Sequence, residues 1–222
     1  MVSCNTTAVC RVLHSLDREI GVEKAWISIV RRAADPAEER GGIDMFVPEI
    51  GNSAFSHHAA DVKTVLKGVN VVTTAVKAPV THFHYHMFFV KTRRKTTREE
   101  IVEALERSPR IILLRKRQGV RSTGDLFNYI RERRLGFGDM YEVGVWEESI
   151  GVLGDEVYMG VVVHQEAIVV PENVDAVRAC LKLSSKEESL KKTDESLGIA
   201  SSPTWGYSQL PGIRELSRSP RV

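Results

Sequence analysis

The sequence has little cysteine, no long apolar run and no excess of one charge. Three cysteines occur in 222 residues, and none belongs to a C-x-x-C motif, which argues against a disulfide framework and a structural zinc site. No apolar run reaches the roughly 18 residues of a membrane-spanning helix, and the first residues lack the pattern of a signal peptide. Lysine and arginine total 31 against 29 acidic residues, so charge does not indicate a nucleic acid or a membrane as partner. We therefore expect a cytoplasmic protein that binds neither.

What is present is the composition of a globular domain, with 42% apolar and 27% charged residues. Runs of predicted strands lie between predicted helices, and several neighbouring strands read as antiparallel. We expect an α+β fold with a predominantly antiparallel sheet and helices on one face. The main domain is predicted over residues 1–183 and a polar helix over 184–199. Residues 200–222 are rich in Pro, Ser and Arg and predict a disordered tail.

The first candidate for chemistry lies in MVSCNTTAVCRVLHSLDREIG. Apolar residues after Cys4 recur at helical spacing, and Asn5, Thr6 and Thr7 are residues that satisfy free amide groups at a helix start. Cys4 is therefore predicted at the N-terminus of a helix, where the partial positive charge lowers a thiol pKa and favours thiolate. The alternative is an ordinary cysteine on a frayed end. Cys180 lies on an apolar stripe, which indicates packing.

The second candidate is THFHYH, a predicted strand. In a strand His82, His84 and His86 point to one face, and Phe83 and Tyr85 point to the other. Three imidazoles on one face fit a metal site, a base beside a nucleophile, or simple packing. Alternate strand positions lie about 6.6 Å apart, so a single metal ion does not readily contact all three.

A third group combines two short segments. Ser56, His57 and His58 precede a predicted helical turn, a setting that suits phosphate or another anion. The alternative is a polar loop that makes its own hydrogen bonds. Arg31 and Arg32 point to opposite faces of their strand, so at most one of them faces any given pocket.

Six segments taken in order carry a resemblance to a known family. They are SCNTT before a helix, VRRAADP, SHHAADVKTVL, HYH on a strand, VWEES and HQEAIVVPENVDAVRA. Together they resemble archaeal-type phosphorylating glyceraldehyde-3-phosphate dehydrogenase over residues 2 to about 199. The resemblance covers only the catalytic second half of that enzyme. The nucleotide-binding half has no counterpart in this sequence, so we expect a truncated or split gene.

The resemblance implies roles for eight residues. It makes Cys4 the nucleophile and His84, the first histidine of H-x-H, the base. It implies substrate contacts from five positions and cofactor contacts from two: Ser3, Cys4, Asn5, His57 and His58 for the substrate, and Arg32 and Gln165 for the cofactor. His82 and His86 receive no role. Residues 1–183 become the catalytic domain.

The implied reaction oxidises glyceraldehyde 3-phosphate with NAD or NADP and inorganic phosphate, through a cysteine thioester, in glycolysis and gluconeogenesis. No metal is implied, and the family assembles as a homotetramer, so we expect a homo-oligomer. Since most of the cofactor site belongs to the other half, we expect the isolated chain to have little activity. Two further functions stay open: a non-catalytic binding or oligomerisation module derived from the domain, and a metal-binding protein that uses the histidine strand.

Overall fold

The computed structural model describes residues 2–33, 46–49, 56–133 and 138–199. The predicted tail over 200–222 and much of the loop predicted between Pro36 and His58 lie outside the described residues. Within the described ranges the helices are α1 Cys4–Glu19, α2 His58–Val65, α3 Arg98–Glu106, α4 Thr123–Arg133, α5 Val170–Cys180 and α6 Lys186–Leu197. The strands are β1 Val22–Arg32, β2 Val47–Pro48, β3 Asn70–Ala78, β4 His84–Thr92, β5 Ile111–Leu114, β6 Val143–Trp146, β7 Gly151–Leu153 and β8 Glu156–Val163.

The strands form one sheet in the order β2-β3-β1-β4-β8-β6-β5, and β7 pairs with β8 outside that path. Most neighbours are antiparallel, but β1 pairs with β3 and β5 pairs with β6 in parallel. The α+β prediction is therefore confirmed, with a sheet that is mixed. Parallel neighbours need a crossover connection, and a helix lies between β5 and β6 along the chain.

The main core lies between α1 and the centre of the sheet. Helix α1 buries one apolar stripe, Val9, Val12, Leu13 and Leu16, all fully inaccessible to solvent. Alternate residues of the central strands complete this cluster, because successive strand side chains point to opposite faces. We call the sheet face that carries His84, His86, Phe88 and Val90 of β4 the site face.

The other face is covered only in part. Helix α4 packs there over the sheet end formed by β5 and β6, in a second cluster that includes Leu126, Ile130 and Ile112. Helices therefore lie on both faces, where the sequence predicted one. The remainder of this second face is exposed, and we call it the open face, defined by Trp26, Met87, Phe89 and Tyr158.

Ion pairs attach the C-terminal helices. Arg110 has a side chain only 5% exposed and contacts Asp175 at 2.7 Å and Asp194 at 2.8 Å, so it joins α5 to α6. Arg11 of α1 donates to Glu172 of α5 and to the carbonyl oxygen of Ile168. The helix that begins with Cys4 is thus tied to the C-terminal pair. The helix predicted over 184–199 corresponds to α6.

In the described part of the chain, no helix combines the length and the apolar character that crossing a membrane requires.

Candidate active site

Cys4 is the first residue of α1, as the sequence predicted. The cap is Ser3, whose hydroxyl accepts a hydrogen bond from the Thr6 backbone N–H at 3.3 Å. Asn5 and Thr6 are helical and buried, and do not act as the cap. The frayed-end alternative is not what the structure contains, because the helix is capped and its first turn is packed.

The thiol of Cys4 faces the first histidine of β4. Cys4 Sγ lies 3.5 Å from His84 Nε2, although the two residues are 80 positions apart in sequence. The contact forms because α1 packs across the site face and β4 presents His84 on that face. A thiol and an imidazole within hydrogen-bond reach form the arrangement of a nucleophile and its proton partner.

Burial and the helix start act on the Cys4 thiol in opposite directions. Burial raises its pKa and is the larger effect, while the Asn5 backbone N–H and the charge of Arg31 oppose it. The net pKa is raised above 9.0. The sequence predicted a lowered pKa from the helix start alone, and that prediction is wrong in sign because it omitted the desolvation of the sulfur.

The other ring nitrogen of His84 is held by the backbone. Arg32 N–H donates to His84 Nδ1 at 3.0 Å. A neutral imidazole has one protonated nitrogen and one lone pair, so this bond places the proton on Nε2, the atom that faces the sulfur. Burial, followed by the charges of Arg31 and Arg32, lowers the His84 pKa to about 3. The ring is therefore neutral at pH 7.

His82 does not share a face with the other two histidines. Strand β4 begins at His84, and the residue before it, Phe83, has a left-handed φ of 65° that breaks the alternation. His82 is exposed and lies against the Phe127 ring at 4.3 Å. The expected row of three imidazoles is thus reduced to His84 and His86, both fully buried.

The segment with two adjacent histidines divides its roles. His57 is exposed and stacks on His58 with ring centroids 4.1 Å apart. His58 is 1% exposed, and its two nitrogens contact Asn5 and Ser56. Burial, followed by the neighbouring His57, lowers the His58 pKa to about 4. The alternative of a polar loop that makes its own hydrogen bonds therefore holds for Ser56 and His58. His57 is exposed and available to a ligand.

The two cofactor residues implied by the resemblance contact each other. Arg32 Nε donates to Gln165 Oε1 at 3.0 Å, and another nitrogen of the guanidinium donates to the Thr81 carbonyl. Glu166 forms an ion pair with the same guanidinium. Because the Arg32 backbone also bonds to His84, this cluster lies beside the thiol–imidazole pair.

Arg31 is the residue that sequence reasoning did not place. It has the same strand parity as Ile27 and Ile29, so it points to the site face, and its charge acts on both Cys4 and His84. It forms an ion pair with Glu49, and its Nε has no hydrogen-bond partner among the described residues. Its position after two buried residues of the same parity is the signal that could have identified it.

One trio of possible metal ligands occurs in the described residues. Ligand atoms of Glu49, His57 and His58 all lie within 4.8 Å of one another. Glu49 is paired with Arg31, whose positive charge opposes a cation, and both His58 nitrogens already contact protein groups. This arrangement does not favour a metal ion.

These features define a class of protein: an α+β domain whose first helix presents a cysteine to a buried histidine. A comparison with known protein families identifies the family within this class. Residues 3–129 match the family described as "Glyceraldehyde 3-phosphate dehydrogenase, C-terminal domain". The chain belongs to this family.

Curated relatives extend the match. The chain is 44% identical over 199 residues to glyceraldehyde-3-phosphate dehydrogenase of Archaeoglobus fulgidus, 46% identical over 201 residues to that of Pyrobaculum calidifontis, and 41% identical over 201 residues to that of Methanobrevibacter smithii. Each alignment covers 90% of this chain but only 58–59% of the relative. The chain thus spans a little over half the length of the relatives it matches.

Proposed function

We propose that this chain is the catalytic part of an NAD(P)-dependent, phosphorylating glyceraldehyde-3-phosphate dehydrogenase. The observation that carries the proposal is the 3.5 Å contact between Cys4 Sγ and His84 Nε2 at the capped start of α1. The names of the family and of the curated relatives support glyceraldehyde 3-phosphate as the substrate. The family resemblance implies inorganic phosphate as the second substrate and 1,3-bisphosphoglycerate as the product. The corresponding setting is glycolysis and gluconeogenesis in the cytoplasm.

Cys4 supplies the nucleophile. The thiol loses its proton to solvent, and the thiolate adds to the aldehyde carbon, so that a C–S bond forms and the carbonyl oxygen becomes an alkoxide. NAD or NADP, when bound, supplies the hydride acceptor. As the hydride leaves that carbon, the alkoxide re-forms a carbonyl and Cys4 carries a thioester. Attack by a phosphate oxygen then releases the acyl phosphate and restores the Cys4 thiolate.

His84 stabilises the alkoxide by donating from Nε2. Its Nδ1 lone pair is occupied by the Arg32 N–H, so in the neutral ring Nε2 carries the proton and points toward the reacting centre. A fixed N–H donor in a buried site is effective against developing negative charge. The base role implied by the resemblance needs a free lone pair on Nε2, and this hydrogen-bond pattern favours the donor role.

The family resemblance implies Ser3, Asn5, His57 and His58 as the substrate-binding groups that act with Cys4. Arg31 adds a positive charge on the same face, and its unpaired Nε suits the phosphate of the substrate or inorganic phosphate. Arg32 and Gln165 form the edge at which the cofactor would approach Cys4. Their contacts with each other fit a supporting role rather than a complete dinucleotide site.

We further propose a homo-oligomer, a tetramer by family, assembled through the open face. Trp26, Met87 and Phe89 are each nearly half exposed there and border a groove of about 650 Å³ that also includes Tyr158. Exposed apolar patches of this kind mark protein contacts. Val177 and Leu181 form a second exposed apolar surface on and just after α5, which suits packing against a nucleotide-binding half.

The test adds the nucleotide-binding half, which is the part of the relatives that their alignments with this chain do not cover. This chain is joined to, or mixed with, the nucleotide-binding half of a relative, and NADH and NADPH formation is followed with glyceraldehyde 3-phosphate and phosphate. We expect activity that disappears in Cys4→Ser, and little activity from the chain alone. A folded, cofactor-binding assembly that stays inactive would indicate a non-catalytic binding module instead.

A further inference from the structure

A buried series of hydrogen-bonded polar side chains passes through Asn5, the residue that follows Cys4. His86 Nε2 contacts Asn5 Oδ1 at 2.9 Å, and Asn5 Nδ2 contacts His58 Nε2 at 3.4 Å. His58 Nδ1 contacts Ser56 Oγ at 3.1 Å, and Ser56 Oγ contacts Thr73 Oγ1 at 2.8 Å. All five residues are buried, and they connect α1 with β4, α2 and β3.

The direction of every hydrogen bond follows from the Thr73 end. Thr73 Oγ1 donates to the Ser56 carbonyl oxygen, which can only accept, and it receives the Ala59 backbone N–H, which can only donate. With its single proton used, Thr73 must accept from the Ser56 hydroxyl. Ser56 Oγ must then accept from His58 Nδ1–H.

The remaining links continue in the same direction. Because His58 carries its proton on Nδ1, its Nε2 accepts from the amide of Asn5. The Asn5 carbonyl oxygen is thereby directed at His86, which must donate from Nε2. His86 Nδ1 is left as a lone pair with no partner among the described residues. The histidines are neutral throughout, because burial lowers the pKa of both His58 and His86.

These hydrogen bonds hold the side chain of Asn5, whose own backbone N–H influences the thiol of Cys4. The Asn5 backbone N–H is the largest of the groups that favour the Cys4 thiolate. The Asn5 side chain is held on both sides, by His86 and by His58, and this limits rotation of the first turn of α1. We propose that His86 is a positioning residue, which acts through Asn5 to keep that peptide N–H directed at Cys4 Sγ.

The charged and titratable groups around Cys4 come from other elements. Arg31 of β1 favours the thiolate and Glu166, after β8, opposes it, while His84 of β4 contacts the sulfur directly. None of these three belongs to the hydrogen-bonded chain. A substitution at His86 therefore changes the placement of Asn5 without removing a charge near the sulfur.

The proposal rests on the proposed role of Cys4 as nucleophile, but its test needs no enzymatic activity. The full 222-residue chain is treated with iodoacetamide from about pH 7 to about pH 10.5, and mass spectrometry follows Cys4, with exposed Cys180 as internal control. The pH midpoint reports thiolate stability, and the limiting rate at high pH reports access. A failure of the dehydrogenase assay is thus distinguishable from a failure here.

His86→Phe removes the donor to Asn5, whereas His86→Gln keeps a side-chain N–H at a similar reach. We expect the Phe variant to raise the pH midpoint of Cys4 alkylation. The shift should correspond to a threefold to tenfold smaller ionisation constant of the thiol, roughly the loss of one well-aligned hydrogen bond. Its limiting rate should stay within about twofold of the parent, and the Gln variant should restore the midpoint. An unchanged midpoint, or a lower midpoint with a faster limiting rate, would show a merely structural role.

A second measurement needs no substitution and so does not depend on a variant that folds. Nitrogen-15 shifts of the imidazole rings report which nitrogen carries the proton. We expect Nε2–H for His86 and Nδ1–H for His58. The opposite pair of tautomers would reverse the chain and overturn the proposal.

Discussion

The two faces of strand β4 differ in an unusual way. Its site-face residues His84 and His86 are fully buried, whereas its open-face residues Met87 and Phe89 are 47% and 46% exposed. Among these four residues the polar side chains are buried and the apolar ones are exposed to water, the reverse of the usual distribution. The Arg32 N–H bonds to His84, and His86 bonds to Asn5, so one nitrogen of each buried imidazole is satisfied within this chain. The open face leaves apolar side chains in contact with water, and it is the surface through which we propose that the chain assembles.

The largest effect on activity is expected at His84 of β4, and its neighbour Tyr85, which points to the opposite face, serves as the control. In the complete enzyme, His84→Ala should lower kcat about 10²- to 10³-fold, because a donor to the alkoxide is lost. Tyr85→Phe should leave kcat within about twofold, since Tyr85 points away from Cys4. The kcat of His84→Gln, which keeps an N–H donor, should fall between these values when it is measured by steady-state kinetics. Equal losses in the Ala and Gln variants would favour the base role over the donor role.

The open face can be disrupted separately. Substituting Phe89 by Lys places a charge where Trp26 and Tyr158 meet it, and should convert the oligomer to smaller species in light scattering. Val65→Lys on α2, also an exposed apolar position, serves as matched control and should leave the mass unchanged. The proposed interface is wrong if Phe89→Lys assembles as the parent does.

The buried histidines should make stability depend on pH. In the folded state the pKa of His84 is about 3 and that of His58 about 4, against 6.5 for an ordinary histidine. The unfolded chain therefore binds more protons below pH 6.5, so stability falls as pH drops, by up to about 1.4 kcal/mol per pH unit for each such histidine. Urea unfolding at a series of pH values measures this slope. His82→Asn, at an exposed position, should not change it, and a flat profile between pH 6.5 and 4.5 would contradict buried neutral histidines.

The smallest expected effect concerns zinc. His82 lies apart from His84 and His86, so purified protein should show no tight one-to-one zinc binding, and His82→Ala should leave Cys4 alkylation unchanged. Calorimetric titration provides the measurement. Tight binding that disappears in His82→Ala would mean that the three histidines do converge.

Sequence reasoning identified the groups that local pattern determines. Helical spacing placed Cys4 at the start of α1, and strand alternation placed His84 and His86 together. The thiol–imidazole contact itself joins residues 80 positions apart, and its expectation came from the family resemblance.

What the sequence did not predict depends on three-dimensional surroundings. The sign of the Cys4 pKa shift required the extent of burial, and the fate of His58 required its contacts with Asn5 and Ser56. Helix α4 on the second face follows from β5, in which all four residues are buried, so both faces of that strand needed a cover. Spacing within a segment does not report these tertiary contacts.

The left-handed conformation of Phe83 has a consequence for folding fidelity. Its side chain is anchored in the second core cluster, beside the His164 ring at 5.1 Å. A shift of β4 by one residue would present Tyr85 and Met87 to Cys4 and place both histidines on the open face. Phe83 cannot follow such a slip without leaving its pocket, because its backbone turn and its buried ring fix the same point of the chain. We therefore expect Phe83 to disfavour a strand that is shifted by one residue, and so to keep His84 and His86 on the site face.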